Sequence, residues 1–107
     1  MTQYGIYWVT LDPTQGCEIA KTRPCVVVSP NEINRYLNTV IIVPLTSKIR
    51  NLPFRVNCIV SGKNGELVID QVRAVDKVRI DSSKNLGILQ QKEISNLQKV
   101  FYEMLCK

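Results

Sequence analysis

The chain has 107 residues, a net charge of +5 and no histidine. Hydrophobic residues make up 45% of it and charged residues 21%, proportions that are common in globular proteins. This length predicts a single domain over residues 1–107. No stretch is long and apolar enough to cross a bilayer, and the N-terminus shows no secretion signal, so we expect a cytoplasmic protein without a membrane partner.

The absence of histidine disfavours several classes of enzyme. Histidine is the commonest acid or base near neutral pH, so histidine-based nucleases, serine or cysteine triads and most zinc hydrolases are poor candidates. Cys17, Cys25, Cys58 and Cys106 include no C-x-x-C pair, so we expect no metal and no other cofactor. Cys25 and Cys58 lie in apolar runs, which favours reduced, buried thiols; a disulfide framework is the alternative.

Hydrophobic periodicity predicts mostly strands, with a helix at the end. In chain order we predict strands over 4–11 and 24–28, a short helix from a Ser29 capping box to about residue 37, strands over 39–45, 54–60 and 66–72, and a helix over 91–106. The last helix lacks a good N-cap. Trp8, on the first strand, is expected in the core or a dimer interface, with stacking on a base as the alternative.

The 54–60 segment anchors the fold prediction. It alternates, with apolar residues at its even-numbered positions, and Asn64-Gly65 follows as a typical tight turn, so residues 66–72 should form its hairpin partner. Ile94, Leu97, Phe101, Met104 and Leu105 fall on one stripe of the last helix. Several short strands and this helix predict an α+β fold, a small bent antiparallel sheet or barrel that is closed or covered by the helix.

Positive charge is concentrated in the middle of the chain. Residues 19–65 contain seven bases and one acid, whereas the remainder contains seven bases and eight acids. A polyanionic partner is the natural inference, although basic loop residues that only aid solubility would look the same. Two strand ends carry charged or hydroxyl side chains. Residues 12–24 place Glu18, Lys21 and Arg23 just before the apolar run at 25–28. Thr46 lies at the end of the following apolar strand.

RNA cleavage is compatible with this set of side chains. The ribose 2′-hydroxyl is an internal nucleophile already held beside the phosphorus, so a protein need only position the phosphate, stabilise its charge and help protons move. Arginine binds phosphate bidentately, and a threonine hydroxyl can complete the contact. DNA lacks the 2′-hydroxyl and would be bound without being cut in this way.

Five segments, 6–24, 26–30, 43–46, 53–54 and 70–72, resemble the MazF/PemK family of bacterial toxins. The resemblance implies a metal-independent endoribonuclease (mRNA interferase) that cuts single-stranded RNA at short sequences, leaving a 2′,3′-cyclic phosphate and a 5′-hydroxyl. It also implies the SH3-like barrel of the CcdB/MazF toxins and a homodimer. A cognate MazE-like antitoxin would silence it through an acidic segment, and operator DNA is a possible partner of the toxin–antitoxin complex.

The same resemblance assigns candidate site residues. The family's catalytic arginine and threonine fall on Arg23 and Thr46, and Glu18 is our first candidate for the base or for orienting Arg23. Gln71 matches a family position close to the substrate groove. The other expected RNA-binding residues are basic and were chosen for their charge, although solvated loop residues would look the same: Lys21, Lys48, Arg50 and Arg55. Without the resemblance, a loop-fixing salt bridge between Arg23 and Glu18, and a turn capped by Thr46, would explain these residues equally well.

Two other functions remain open. A CcdB-like toxin that binds DNA gyrase would share the fold, but that mode relies on a C-terminal tryptophan and this chain ends in Cys106-Lys107. A catalytically silent nucleic-acid-binding regulator is the other alternative, because Tyr4 and Gly5 replace the glycine and acid with which many members begin.

Overall fold

The computed structural model describes residues 1–11 and 21–106, and the predictions for Cys17 and Glu18 fall outside these ranges. The strands are β1 (Gly5–Leu11), β2 (Lys21–Val27), β3 (Thr39–Thr46), β4 (Arg55–Val60), β5 (Lys63–Val68), β6 (Arg73–Asp76) and β7 (Ile80–Ile88). The helices are α1 (Asn31–Tyr36) and α2 (Gln91–Leu105), and Ile69–Gln71 and Lys77–Arg79 form 3₁₀ turns.

The described strands form an antiparallel sheet in the order β4-β5-β3-β2-β1-β7, with β6 paired to β3. One edge of β3 pairs with β2, and the other edge pairs first with β6 and then with β5. Pro44 lies between the β6 and β5 pairings, so its missing N–H interrupts neither of them. The end strands β4 and β7 do not pair within the described ranges, so the α+β fold is confirmed with an open sheet.

Both faces of the central strands are buried. One core cluster includes Ile6, Val26 and Val43 and is covered by Leu97 of α2. The other includes the alternate residues of the same strands, among them Tyr7, Val9, Cys25, Val27 and Ile42. Because successive side chains of a strand point to opposite faces, these strands read as continuous apolar runs.

The cysteine prediction is confirmed for the described residues. Cys25 and Cys58 are buried and free, and Cys106 is free and exposed. Burial raises the pKa of Cys25 to about 12, against the weaker opposing effect of Arg23 and Arg73. Burial also raises the pKa of Cys58 to about 12, and the carboxylates of Glu93 and Glu66 add to that shift. Both thiols are therefore small core side chains and not nucleophiles.

Helix α2 is confirmed, but it does not lack an N-cap, because Gln90 and Glu93 form a capping box at its start. The Glu93 carboxylate accepts hydrogen bonds from the backbone N–H of Gln90 at 2.8 Å and of Ile59 at 2.8 Å. One buried side chain thus completes the first turn of α2 and joins it to the edge strand β4. No described helix has the length and apolar character needed to span a membrane.

Helix α1 forms without the predicted Ser29 capping box. No side chain caps its start. The Ser29 hydroxyl instead donates to Asn34 Oδ1 at 2.6 Å and accepts from the Ile41 N–H at 3.0 Å. Ser29 and Asn34 are both buried, so this polar pair fixes α1 on β3.

The predicted hairpin is present, but the prediction of its turn was wrong. Ser61 (φ 51°) and Gly62 (φ 77°) make the turn, while Asn64 and Gly65 lie inside β5. Any Cβ at position 65 would lie 3.0 Å from the Thr46 carbonyl oxygen. Gly65 therefore serves close approach between β5 and the end of β3, and the turn moves back three positions.

Three further expectations near these strands need correction. The partner strand ends at Val68, because residues 69–71 form a 3₁₀ turn where strand was predicted. Phe54 is exposed with φ 62°, so it does not share the buried face of Val56. The sequence patterns indicated neither β6 nor β7; β7 is mostly exposed, and its residues 82–84 have no partner on β1.

Candidate active site

A surface groove of about 480 Å³ lies where β1, β2 and the end of β3 meet the β4–β5 hairpin. Its described lining residues are Trp8, Thr22, Arg23, Pro24, Leu45, Thr46, Ser47, Val60, Ser61, Lys63, Asn64, Gly65 and Leu86. Apolar side chains supply much of this surface, and polar groups converge on it from three separate chain segments. Such a groove fits an extended ligand that offers both flat apolar rings and charge.

Arg23 and Thr46, the two residues that the resemblance singled out, both line this groove. β2 and β3 are paired through Cys25 opposite Pro44. Arg23 lies two residues before Cys25 and Thr46 two residues after Pro44, so both lie just beyond the end of this pairing. Residues far apart in the sequence thus reach one spot because the strands that carry them are neighbours.

The Thr46 hydroxyl makes one hydrogen bond within the described part of the chain. Its oxygen accepts a hydrogen bond from the backbone N–H of Lys48 at 3.2 Å. This is the turn contact that the simpler interpretation predicted. A hydroxyl also has a donor hydrogen and a second lone pair, so Thr46 retains the capacity to donate to a ligand.

The charge of the groove is positive. Arg23 and Lys63 are the ionised side chains among its described lining residues, and no carboxylate is among them. Within residues 1–11 and 21–106, neither base forms an ion pair. Two unpaired cations beside an apolar surface favour an anionic ligand.

Lys48 and Arg50 lie next to the groove on the segment of residues 47–54, which we call the 47–54 loop. Both are exposed, and neither is paired with a carboxylate in the described part of the chain. The loop starts at Ser47, which lines the groove. The two predicted RNA-binding residues are thus available at one end of it.

Arg55 has different surroundings from these bases. Its Nε donates to Asp70 at 3.0 Å and its Nη1 to the buried Glu66 at 3.5 Å, and its side chain is 11% exposed. Burial acts to raise the pKa of Glu66, but hydrogen bonds from Asn51, Arg50 and Arg55 outweigh it, so the pKa lies below its usual range. The structure therefore places Arg55 in an ion-pair cluster and outside the groove lining.

The other predicted site residues are more dispersed. Gln71 is half-buried on the Ile69–Gln71 turn, away from the groove lining, and Lys21 begins β2 opposite Leu11. The role suggested for Glu18 lies outside the described residues.

Three lining residues were missed or misplaced by the sequence analysis. Trp8 is 36% exposed in the groove wall, so its expected place in the core was wrong. Trp8 points to the same side of β1 as the buried Ile6, but at Trp8 that side lines the groove. Lys63 and Asn64 reach the groove from the hairpin, and the shift of the turn to Ser61-Gly62 is what sets them there.

Comparison with known proteins identifies relatives over nearly the whole chain. Residues 2–105 match the family model described as "PemK-like, MazF-like toxin of type II toxin-antitoxin system". The endoribonuclease toxin MazF of Escherichia coli K12 is 36% identical over 70 residues, which span 65% of this chain and 63% of that relative. The endoribonuclease MazF of Staphylococcus saprophyticus is 29% identical over 103 residues, covering 90% of this chain and 86% of the relative.

Solved structures share the fold. MazF from Deinococcus radiodurans superposes with a TM-score of 0.85 at 22% identity, covering 100% of this chain and 97% of the other. An endoribonuclease from a mycobacterial species, solved with its cognate antitoxin, gives a TM-score of 0.80 at 21% identity over 99% of this chain and 95% of that one. At these identities the similarity establishes the architecture.

Proposed function

Because the chain belongs to the PemK-like, MazF-like toxins of type II toxin–antitoxin systems, we propose that it is an endoribonuclease toxin that cuts single-stranded mRNA in the groove between β2, β3 and the β4–β5 hairpin. The observation that carries the proposal is that Arg23 and Thr46 line one groove whose described lining contains no carboxylate. The whole chain would act as one toxin domain in the cytoplasm, where mRNA is available.

The reaction is an internal transfer at phosphorus. The 2′-oxygen of the ribose attacks the adjacent phosphorus, the bond from phosphorus to the 5′-oxygen breaks, and the products are a 2′,3′-cyclic phosphate and a 5′-hydroxyl. The 2′-hydroxyl gives up a proton to a base, and the departing 5′-oxygen takes one up. The nucleophile belongs to the substrate, so no metal-bound or protein nucleophile is needed.

Arg23 and Thr46 stabilise the charge that develops on the phosphate. Arginine keeps its proton at ordinary pH, so Arg23 serves as a bidentate clamp and a charge stabiliser and not as the base. The Thr46 hydroxyl donates to a second phosphate oxygen while Lys48 N–H continues to hold its oxygen. Glu18 remains our candidate for the base.

Three neighbouring residues have supporting roles. Trp8 offers a flat apolar surface for a base to stack on, since it is partly exposed in the groove wall. Lys48 and Arg50 provide sequence-independent contacts to flanking phosphates, because both are exposed and unpaired within the described ranges.

The experiment is cleavage of a long single-stranded RNA by the purified protein in excess EDTA, with Arg23→Ala as the control and 5′ ends mapped by primer extension. Discrete cuts whose 5′ ends accept phosphate directly from a kinase, and which are lost in Arg23→Ala, are the expected result. Cleavage that requires a divalent cation would contradict metal independence. No cleavage by folded protein would contradict the nuclease and favour a nucleic-acid-binding regulator.

We further propose that a MazE-like antitoxin inhibits the protein by laying an acidic segment across this groove, and that the toxin acts as a homodimer. Arg23 and Lys63, which have no ion-pair partner among the described residues, suit an acidic segment. Exposed apolar side chains on α1 and α2, including Tyr36 and Leu105, are available for self-association. Operator DNA would be bound through the antitoxin. Sedimentation of the toxin alone and with antitoxin tests both assemblies.

A further inference from the structure

Glu66 holds the 47–54 loop from beneath. Its side chain is fully buried, and its Oε2 accepts the backbone N–H of Arg50 at 3.1 Å and of Asn51 at 2.8 Å. Its other oxygen, Oε1, faces Arg55 Nη1 at 3.5 Å. Arg50 and Asn51 are exposed residues, so these bonds join an exposed loop to a buried side chain. One carboxylate therefore determines the backbone of an exposed segment.

Its position along β5 connects this contact to the groove. Glu66 lies directly opposite Thr46 in the pairing of β5 with β3. The loop leaves β3 at Thr46 and returns to Glu66 at Arg50, so a short stretch with both ends fixed carries Lys48. Asn51 also adopts φ 53°, a left-handed conformation that non-glycine residues need local contacts to hold.

A buried carboxylate is a costly way to stabilise a sheet. An apolar residue of similar volume is often as stabilising as a buried ion pair, so the charge suggests a requirement for a specific arrangement. Arg55 pairs with both Glu66 and Asp70, and within the described ranges neither Lys48 nor Arg50 forms an ion pair.

We infer that Glu66 is a positioning residue for RNA recognition: by binding the amides of Arg50 and Asn51 it fixes where Lys48 and Arg50 meet the nucleotides beside the cleaved bond. The inference rests on the proposed ribonuclease function. It concerns substrate binding and the choice of cut site, and it leaves the chemical step to Arg23 and Thr46.

The test compares two substitutions at Glu66. Glu66→Leu removes the acceptor and should raise KM by about tenfold and add cut sites with little change in kcat. Glu66→Gln keeps an oxygen that can accept both amides, so it should restore most of the wild-type KM and cut pattern. Removing a negative charge would by itself tighten RNA binding, so a weaker complex of Glu66→Leu separates positioning from simple electrostatics.

Asp70→Asn is the matched control. It also deletes a negative charge beside Arg55 while keeping an oxygen that can accept from Arg55 Nε, and Asp70 makes no described contact with the loop amides. We expect its KM and cut sites to be those of the wild type. A folded Glu66→Leu protein with wild-type KM and cut sites, or one whose changes are matched by Asp70→Asn, would overturn the inference.

Hydrogen exchange tests the contact even if Glu66→Leu does not fold. In the wild-type protein the amides of Arg50 and Asn51 should exchange far more slowly than free amides, and exchange at the free rate would overturn the inference. If the wild-type protein neither cuts nor binds RNA, the proposed function and this role of Glu66 both fail. If it cuts, and the Glu66 variants cut identically, only the positioning role fails.

Discussion

Two arginines on different strands of the sheet, Arg23 on β2 and Arg55 on β4, have very different surroundings. Arg55 donates to Asp70 and Glu66, and most of its side chain is buried. Arg23 is half-buried in a groove whose described lining contains no carboxylate, and it has no ion-pair partner in the described ranges. A cation that folding has already paired contributes to stability, whereas an unpaired one remains available to an anionic ligand.

The strongest test of this contrast is Arg23→Ala. If Arg23 stabilises the reacting phosphate, cleavage should fall about a hundred- to a thousandfold, which is the usual cost of losing one preorganised stabilising group. The free energy of unfolding should change by less than about 0.5 kcal/mol, because no described partner is lost. Single-turnover cleavage and urea denaturation measure the two quantities, and a variant that loses stability but still cuts would reverse the assignment.

Thr46→Val tests the hydroxyl that lines the same groove as Arg23. The substitution preserves shape and removes the donor, so cleavage should fall about tenfold to a hundredfold, as for a hydrogen bond to a charged group. Thr46→Ser retains the hydroxyl and should keep most of the activity. Equal rates for the valine and serine variants, measured in single turnover, would leave the turn contact with Lys48 N–H as the only role of Thr46.

Arg55→Met examines the paired arginine. The substitution keeps much of the apolar stem but leaves Glu66 with fewer hydrogen-bond donors, so the protein should lose about 1–3 kcal/mol of unfolding free energy. We expect kcat to be unchanged. Urea denaturation beside single-turnover cleavage checks this, and a loss of RNA affinity without a loss of stability would restore Arg55 to the RNA-binding role that its sequence position suggested.

Much of the fold could be predicted because local patterns and burial agree. The apolar stripe of α2 and the runs of β1 and β3 indicate those elements directly, and the observed bounds differ from the predictions by one or two residues at most. The hairpin turn could not be placed, because Ser61-Gly62 and Asn64-Gly65 are both suited to positive φ. The close approach of Gly65 to the Thr46 carbonyl, a tertiary contact, decides between them.

The resemblance singled out two residues of the groove lining, Arg23 and Thr46. Lys63 and Asn64 were missed because the sequence pattern predicted the wrong hairpin turn. Arg23 and Arg55 cannot be told apart by residue type or by local charge. Glu66 and Asp70 pair with Arg55 across the sheet, and no spacing rule in the sequence indicates that pairing.

Lys63→Ala tests a second base of the groove, and its expected effect is smaller than that of the substitutions above. Lys63 lines the groove and forms no ion pair within residues 1–11 and 21–106, so its loss should weaken RNA binding severalfold and reduce the slope of log affinity against log salt by about one. Lys92→Ala, on the exposed start of α2, removes the same charge outside the groove and should leave the slope unchanged. RNA-binding titrations at several salt concentrations, with both lysine substitutions made in the catalytically inactive Arg23→Ala protein, measure the two slopes. Identical slopes for both lysine variants would contradict a specific role of Lys63 in RNA binding.

The smallest expected effect is a pH dependence of the unfolding free energy that comes from Glu66, in the ion-pair cluster of Arg55. The pKa of Glu66 is lower in the folded protein than in the unfolded chain, where a glutamate titrates at about 4.3. Its contribution to stability is therefore complete above that value and is lost as the pH falls through the lower, folded pKa. The wild-type protein should lose its stability advantage over Glu66→Gln below about pH 4.3.

Denaturant unfolding at several pH values measures how the unfolding free energy of the wild-type protein and of Glu66→Gln depends on pH. Arg23→Ala serves as a comparison at the unpaired arginine. Asp81 also has a lowered pKa, through its hydrogen bonds with Ser83, but it is present in every variant and its effect cancels in the differences. Because no described carboxylate pairs with Arg23, the Arg23→Ala curve should run parallel to that of the wild type over the whole range. Convergence of the Arg23→Ala curve with the wild type at low pH would reveal a carboxylate partner for Arg23, for which Glu18 is the first candidate.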